Sequence, residues 1–136
     1  MSVNELFALD KRVSEFRDLQ NLDVQSNQLT SLPSSFSQLQ HLTSLNLARN
    51  ALSRVPSCIL ALTSLVSLDL SDNMLDTLWS QADAEKAGIA ASDVLRSLAT
   101  LNLAYNCLST SALVPMPASL KRLQLSHNLL REPLPI

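Results

Sequence analysis

Aliphatic residues recur along this chain in one eleven-position pattern that appears five times. Around Asn50 it reads Leu42-x-x-Leu45-x-Leu47-x-x-Asn50-x-Leu52. The same spacing returns in four other segments: 19–29, 65–75, 98–108 and 120–130. The alternation of Leu45 and Leu47 with polar residues has a period of two, so both leucines point to one face of a short strand. The pattern therefore predicts five short strands, one in each repeat.

An asparagine occupies the same position in every segment, and a sixth lies upstream. The six are Asn4, Asn27, Asn50, Asn73, Asn106 and Asn128, and successive ones are 23, 23, 23, 33 and 22 residues apart. The chain must turn where it leaves each strand, which frees backbone donors and acceptors. An asparagine amide carries two donors and one acceptor oxygen, so it can satisfy groups of its own turn and of a neighbouring one.

A unit of 20–29 residues with the pattern L-x-x-L-x-L-x-x-N-x-L is typical of the leucine-rich repeat family, which this chain resembles. The resemblance implies an α/β solenoid, a horseshoe segment whose stacked strands form a parallel sheet on the concave side. In that family the asparagines stack into an internal ladder of hydrogen bonds, and the six matching residues imply the same here.

The second half of the repeat is also regular. Leu29 is followed by Leu32, Pro33, Phe36 and Leu39 at spacings that the next repeat reproduces. This pattern resembles the intracellular Ras-group and Scribble-like leucine-rich repeat proteins. Few residues remain for the convex side, so we expect short 3₁₀, helical or extended segments there.

The length favours a single domain over residues 1–136, with strand-bearing repeats over 19–130. Two interpretations fit residues 1–18. They match the second half of a repeat, with Asn4 in the ladder position, and they also suit an amphipathic N-terminal capping helix. Residues 131–136 are predicted to be a truncated end, so edge-to-edge self-association through uncapped ends is possible.

One repeat is longer than the others, and the excess lies around residues 79–93. Its alanines, Glu85 and Lys86 are good helix formers, and Gly88 is placed to end a helical turn. We expect a tolerated insertion on the convex side or its rim, with Trp79 filling the convex core. Removing residues 81–90 would then cost little stability. The alternative is a contact specific to this protein.

Charge and cysteine usage narrow the class of protein. A net charge of −2 gives no electrostatic attraction to nucleic acid or to an anionic membrane. No apolar run approaches the ~20 residues that span a bilayer, and Met1 does not lead into the positively charged and then apolar segments typical of a signal peptide. Cys58 and Cys107 are predicted to lie two repeats apart, beyond disulfide reach. They indicate free thiols, a reducing compartment and hence the cytoplasm.

Residues for catalysis or metal binding are scarce. A single glycine excludes glycine-rich phosphate loops, and His41 and His127 are far apart in repeat register. Asp69 and Asp72 could be imagined as a metal pair, but these positions belong to the common wording of the repeat. We therefore predict no enzyme activity, no cofactor and no metal.

Function is then expected on the exposed concave positions. Equivalent positions of successive repeats form four rows of side chains across the predicted sheet. The third row consists of small or polar residues: Gln25, Ala48, Ser71, Ala104 and Ser126. The fourth row, just before the ladder, is the most varied. Arg and Tyr are enriched at binding hot spots. The predicted partner-binding residues are Arg49, Asp69, Asp72, Asn102, Tyr105, Arg122 and His127.

The sequence thus predicts a non-enzymatic module that binds a protein partner on its concave face. The Ras-group and Scribble-like resemblance implies signalling or scaffolding. The main alternative is a regulatory fragment of a larger signalling enzyme, such as a kinase, cyclase or ubiquitin ligase. A third hypothesis, an RNA-processing component, is weakened by the lack of a basic stripe.

Overall fold

The computed structural model describes residues 17–32, 34–90, 93–109 and 117–129. Within them, five parallel strands form one sheet in chain order: β1 (Asn21–Asp23), β2 (Ser44–Asn46), β3 (Ser67–Asp69), β4 (Thr100–Asn102) and β5 (Arg122–Gln124). The predicted leucine-rich repeat solenoid is confirmed. Asn4, both interpretations of residues 1–18 and the end at 131–136 fall largely or wholly outside the described residues.

The middle residue of each strand points into the core. Leu45, Leu68 and Leu101 are register partners and are no more than 1% exposed. Each repeat is too small to bury its leucines alone, so the core exists only because neighbouring repeats stack. The same position in β5, Leu123, is only half-buried.

The convex side is built from different short segments in successive repeats. A 3₁₀ helix covers Ser34–Gln38, helix α1 covers Ser57–Leu60 and helix α2 covers Gln81–Lys86. The 3₁₀ helix packs against α1, and α1 packs against α2. Phe36 and Ile59 close the core from this side, since both are fully buried. The predicted short 3₁₀ and helical convex segments are therefore confirmed.

Helix α2 arises within the long repeat and has clear local causes. The Ser80 hydroxyl accepts a hydrogen bond from the Asp83 N–H, and the Asp83 carboxylate accepts one from the Ser80 N–H. This reciprocal capping box satisfies two donors at the helix start. After the helix, Gly88 adopts φ +78°, a left-handed conformation that glycine adopts without steric cost.

The long repeat also contributes to the core. Ala84 of α2 is only 1% exposed, while Ala87, Ile89 and Trp79 are partly buried against the core. Trp79 thus packs where the sequence suggested. The burial of Ala84 argues against a segment that can be removed at little cost, because its removal would expose part of the core to which Ala84 belongs. The pattern of helix formers carried no information about which alanine faces inward.

Candidate protein-interaction surface

The asparagines at the end of the strands hold the turns of neighbouring repeats together. The Asn73 side-chain amide donates to the carbonyl oxygens of Leu47 and Leu70, both at 3.0 Å. Its Oδ1 accepts from the N–H of Leu52 at 3.2 Å. One buried side chain therefore links its own repeat to the preceding one.

Other described members of the set bond in the same way. Asn50 accepts from the N–H of Asn27 and of Leu29, Asn106 accepts from Leu75, and Asn128 accepts from Leu108, at 2.9–3.0 Å. Asn27 donates to Val24 and Gln25 of its own turn. Among the described residues, no buried side-chain nitrogen or oxygen lacks a hydrogen-bond partner. A polar network buried in this way is stabilising because every member is satisfied.

The first and third positions of the strands form two rows across the concave face. Strand register aligns the first row as Asn21, Ser44, Ser67, Thr100 and Arg122, and the other as Asp23, Asn46, Asp69, Asn102 and Gln124. These side chains are exposed or half-buried, whereas the leucines between them are buried in the first four strands. Arg122 belongs to the first row, whereas Asp69 and Asn102 are neighbours in the other.

The second of these rows also has a structural task that the sequence reasoning missed. Asp69 Oδ1 accepts from the N–H of Ser71 at 2.9 Å and from its hydroxyl at 2.6 Å. Asn102 Oδ1 accepts from the N–H of Ala104 at 3.0 Å, and Asn46 does the same for Ala48. A side chain that bonds the backbone two residues on forms an Asx turn. Asp69 and Asn102 therefore already hold the chain as it leaves the strand.

The third row departs from expectation. Ala48 and Ala104 are only 7% and 4% exposed, so they do not belong to the accessible surface. Their carbonyl oxygens accept from the side-chain amides of Asn50 and Asn106, which lie inside the solenoid. The chain has thus begun to turn inward at this position, one residue earlier than a regular strand alternation implies.

The row before the ladder has an unusual backbone. Its five members have φ between 55° and 60°: Ser26, Arg49, Asp72, Tyr105 and His127. Residues other than glycine, asparagine and aspartate rarely adopt this left-handed conformation. In the first four members it is held by a backbone hydrogen bond to the next repeat, such as Arg49 N–H to the Ser71 carbonyl at 3.0 Å. In the sequence, only the position directly before each asparagine marks these residues, since their residue types do not predict the left-handed conformation.

This row brings four predicted partner-binding residues into one line. Arg49, Asp72, Tyr105 and His127 are all exposed and occupy consecutive repeats. The rings of Tyr105 and His127 stack with centroids 4.2 Å apart and planes 8° from parallel. Tyr105 nevertheless remains 56% exposed. A flat aromatic pair held in place by its backbone loses little side-chain freedom when a partner covers it.

A groove of about 420 Å³ lies on the convex side, between the 3₁₀ helix, α1 and α2. Arg54, Asp83 and Lys86 line it together with Cys58. Burial raises the pKa of the Cys58 thiol to about 11, outweighing hydrogen bonds to its own and the Ile59 backbone. A protonated thiol is a poor nucleophile at neutral pH, and Asp83 is engaged in the capping box of α2.

Cys58 and Cys107 are free cysteines. In the described parts of the chain, no three His, Cys, Asp or Glu side chains are grouped so as to hold a metal ion.

Helices long and apolar enough to cross a bilayer are absent from the residues that the structure describes.

Comparison with known proteins agrees with this geometry. A sequence model of the family described as Leucine rich repeat matches residues 17–75. An internalin (inlF) from Listeria monocytogenes is 24% identical with a TM-score of 0.69, covering 88% of this chain and 32% of that one. The TLR13–ssRNA13 complex contains a chain that is 26% identical with a TM-score of 0.58, covering 87% of this chain and 20% of that one. A search of the curated proteins gives no significant match.

These comparisons establish the kind of repeat, and this chain spans only a third or less of the matched structures. The finer resemblance to Ras-group and Scribble-like proteins stays a prediction. Residues 17–75 carry leucine-rich repeats, and the described strands beyond them continue the same leucine-rich repeat solenoid.

Proposed function

We propose that this chain is a non-enzymatic interaction module that binds a protein partner on its concave face. The single observation that carries the proposal is the line of exposed side chains before the ladder. Backbone hydrogen bonds to the next repeat fix Arg49, Asp72 and Tyr105 there, and His127 stacks on Tyr105. A preformed surface of this kind binds at a lower entropic cost than a flexible one.

Charge and chemistry along this line suit a protein partner. Arg49 and Asp72 have no ion-pair partner among the described residues, so both charges are available. The stacked Tyr105 and His127 add apolar area with polar edges. Arg and Tyr are among the side chains enriched at the energetic centre of protein interfaces. Asp69, Asn102 and Arg122 extend the proposed surface across the strands.

Non-enzymatic function rests on the chemistry of the one groove considered above. The Cys58 thiol is protonated at neutral pH, and Asp83 serves its helix. The alternative is a regulatory leucine-rich repeat segment of a larger signalling enzyme. That alternative is compatible with a chain that spans a fifth to a third of the matched structures.

Nucleic acid is a second possible class of partner. One matched structure is a complex with single-stranded RNA, so the comparisons give no support to the exclusion drawn from sequence. The net charge of −2 and the exposed Asp72 beside Tyr105 favour a protein over a polyanion. Binding to RNA that weakens steeply with added salt would overturn this preference.

The cytoplasm is our proposed compartment. The support is that Cys58 and Cys107 are free thiols, which are typical of a reducing compartment. Cys58 is also half-buried, so the repeats would tolerate its oxidation poorly. Localisation of the tagged chain in its own cells tests this directly, and recovery from the culture medium would contradict it.

The decisive experiment is partner capture with the intact chain and a double variant, Arg49→Asn with Tyr105→Asn. Asparagine tolerates the left-handed backbone of both positions, so the fold should survive. We expect capture of the identified partner to be lost while the circular-dichroism spectrum and melting temperature stay unchanged. The matched control is Arg54→Asn, which removes the same charge from the convex groove. Undiminished capture by the double variant would refute concave-face binding.

A further inference from the structure

Exposed apolar side chains are concentrated in the two rows that flank the ladder. Among the described residues four large apolar side chains are exposed: Val66 at 42%, Met74 at 53%, Tyr105 at 56% and Leu129 at 64%. Three of them lie directly beside ladder asparagines in consecutive repeats. Met74 follows Asn73, Tyr105 precedes Asn106, and Leu129 follows Asn128. Val66 lies apart, just before β3.

These side chains belong to a regular grid. The residues after the asparagines are tied to the preceding repeat, since the N–H groups of Met74, Cys107 and Leu129 donate to Leu52, Leu75 and Leu108 at 2.8–2.9 Å. They therefore follow one another at the strand spacing of about 4.8 Å. The row before the asparagines runs parallel to them. The asparagines between the rows contribute their side chains to the interior network, which leaves both rows outside.

We name the resulting surface the rim patch; its members are Asp72, Met74, Tyr105, Cys107, His127 and Leu129. All six are exposed. Five of them offer apolar or aromatic surface, which soluble proteins rarely gather on one exposed patch without a binding role. The sixth, Asp72, places a carboxylate at one corner.

A second carboxylate, that of Asp76, follows Met74 by two residues. Asp76 is exposed, and its N–H donates to the Ser53 carbonyl at 3.3 Å, which places it beside Met74 along the chain as it runs to the convex side. Neither Asp72 nor Asp76 has an ion-pair partner among the described residues. Among the described residues, no carboxylate lies at the far end of the patch, at His127 and Leu129. The rim patch is therefore apolar with an acidic corner.

We propose that the rim patch binds a protein segment whose apolar side chains cover Met74, Tyr105 and Leu129 and whose basic side chain meets Asp72 and Asp76. This deepens and rests on the proposed function, because it names the partner's chemistry. It extends the proposed surface from the row before the asparagines to the row that follows them. The strand row containing Asp69 and Asn102 is engaged in Asx turns, so it offers a partner fewer free acceptors.

The test uses two short capped synthetic peptides with the intact chain. One intersperses leucine and lysine with serine, and the other replaces each lysine by glutamate. Methyl resonances of Met74, Leu129 and Val66 are followed during titration. We expect the lysine peptide to shift Met74 and Leu129, to leave Val66 unmoved, and to bind about tenfold more tightly than the glutamate peptide.

Variants at positions outside the predicted concave-face residues distinguish the rim proposal from the proposed function. Binding of the lysine peptide should be weakened several-fold by each of Met74→Ser, Leu129→Ser and Asp76→Asn. The matched control Val66→Ser should leave binding unchanged. Equal binding of both peptides, shifts centred on Val66, concentration-dependent self-association that hides the patch, or no binding at all would each overturn the rim proposal. Loss of partner capture in the Arg49 and Tyr105 double variant, with these variants unaffected, would leave the proposed function standing and remove only the rim patch.

Discussion

The strand side of this solenoid is regular from repeat to repeat, whereas the convex side varies. On the strand side the first four strands share one arrangement, with a buried leucine, an Asx turn, a left-handed residue and an asparagine, and the last repeat keeps the left-handed residue and the asparagine. On the convex side one repeat has a 3₁₀ helix, the next a single α-helical turn and the next a capped helix. Hydrogen bonds cross between repeats on the strand side and demand identical spacing. The convex segments need only cover the same apolar surface.

The largest difference should appear when a strand leucine is shortened. Leu68 is 1% exposed and lies in the central strand β3, between β2 and β4. Leu68→Ala should lower the free energy of unfolding by about 2–5 kcal/mol, since the stacked repeats cannot collapse into the cavity. Urea denaturation measures this. The control Val66→Ala removes an exposed side chain two residues away, and an equal loss there would contradict the account of the core.

Replacing a ladder amide should cost somewhat less. Asn73→Leu leaves the buried N–H of Leu52 without a partner and removes one of the two asparagine amides that donate to each of the Leu47 and Leu70 carbonyls. We expect a loss of about 1–3 kcal/mol in unfolding free energy. Amide hydrogen exchange should accelerate at Leu52. A variant as stable as the parent, with Leu52 still protected, would show that these turns do not depend on the asparagine.

Helix α2 offers a matched pair for the convex side. Ala84 is buried and Ala82 is exposed, and both lie within the same helix. Serine lowers helix propensity equally at the two sites, so any difference reports burial. Ala84→Ser should destabilise by about 1 kcal/mol more than Ala82→Ser in thermal or urea unfolding. Equal effects would mean that the long repeat is a loosely attached insertion after all.

The smallest expected effect is a dependence of the folding stability on pH. The pKa of Cys58 rises from 9.0 to about 11 on folding because burial disfavours the thiolate. Above pH 9 the unfolded chain therefore releases a proton that the folded chain retains, and stability falls as pH rises toward 11. The loss should be on the order of 1 kcal/mol relative to Cys58→Ala. Parallel pH profiles for the two proteins would disprove this linkage.

Much of the fold could be read from the residues alone. The spacing of Leu42, Leu45 and Leu47 predicted a strand and its inward face, because alternation is a local property of the chain. The repeat length then predicted parallel stacking. Helix α2 was also accessible, since Ala82 to Lys86 favour a helix and Gly88 ends its last turn.

The candidate surface was accessible only in outline. The row containing Arg49 and Tyr105 could be identified by its position before the asparagine. Its left-handed backbone could not, because Arg and Tyr do not favour that conformation by themselves. Asp69 and Asn102 were predicted as partner contacts without any indication of their Asx turns.

The sequence by itself determined the repeat, the five described strands and the leucines that fill the core, because these follow from periodicity within one repeat. Tertiary structure decided the burial of Ala48 and Ala84, the stacking of Tyr105 on His127 and the grouping of Met74 with Leu129. Each of these depends on which side chain the neighbouring repeat brings alongside. A contact between repeats is set by the geometry of stacking, which no single repeat contains.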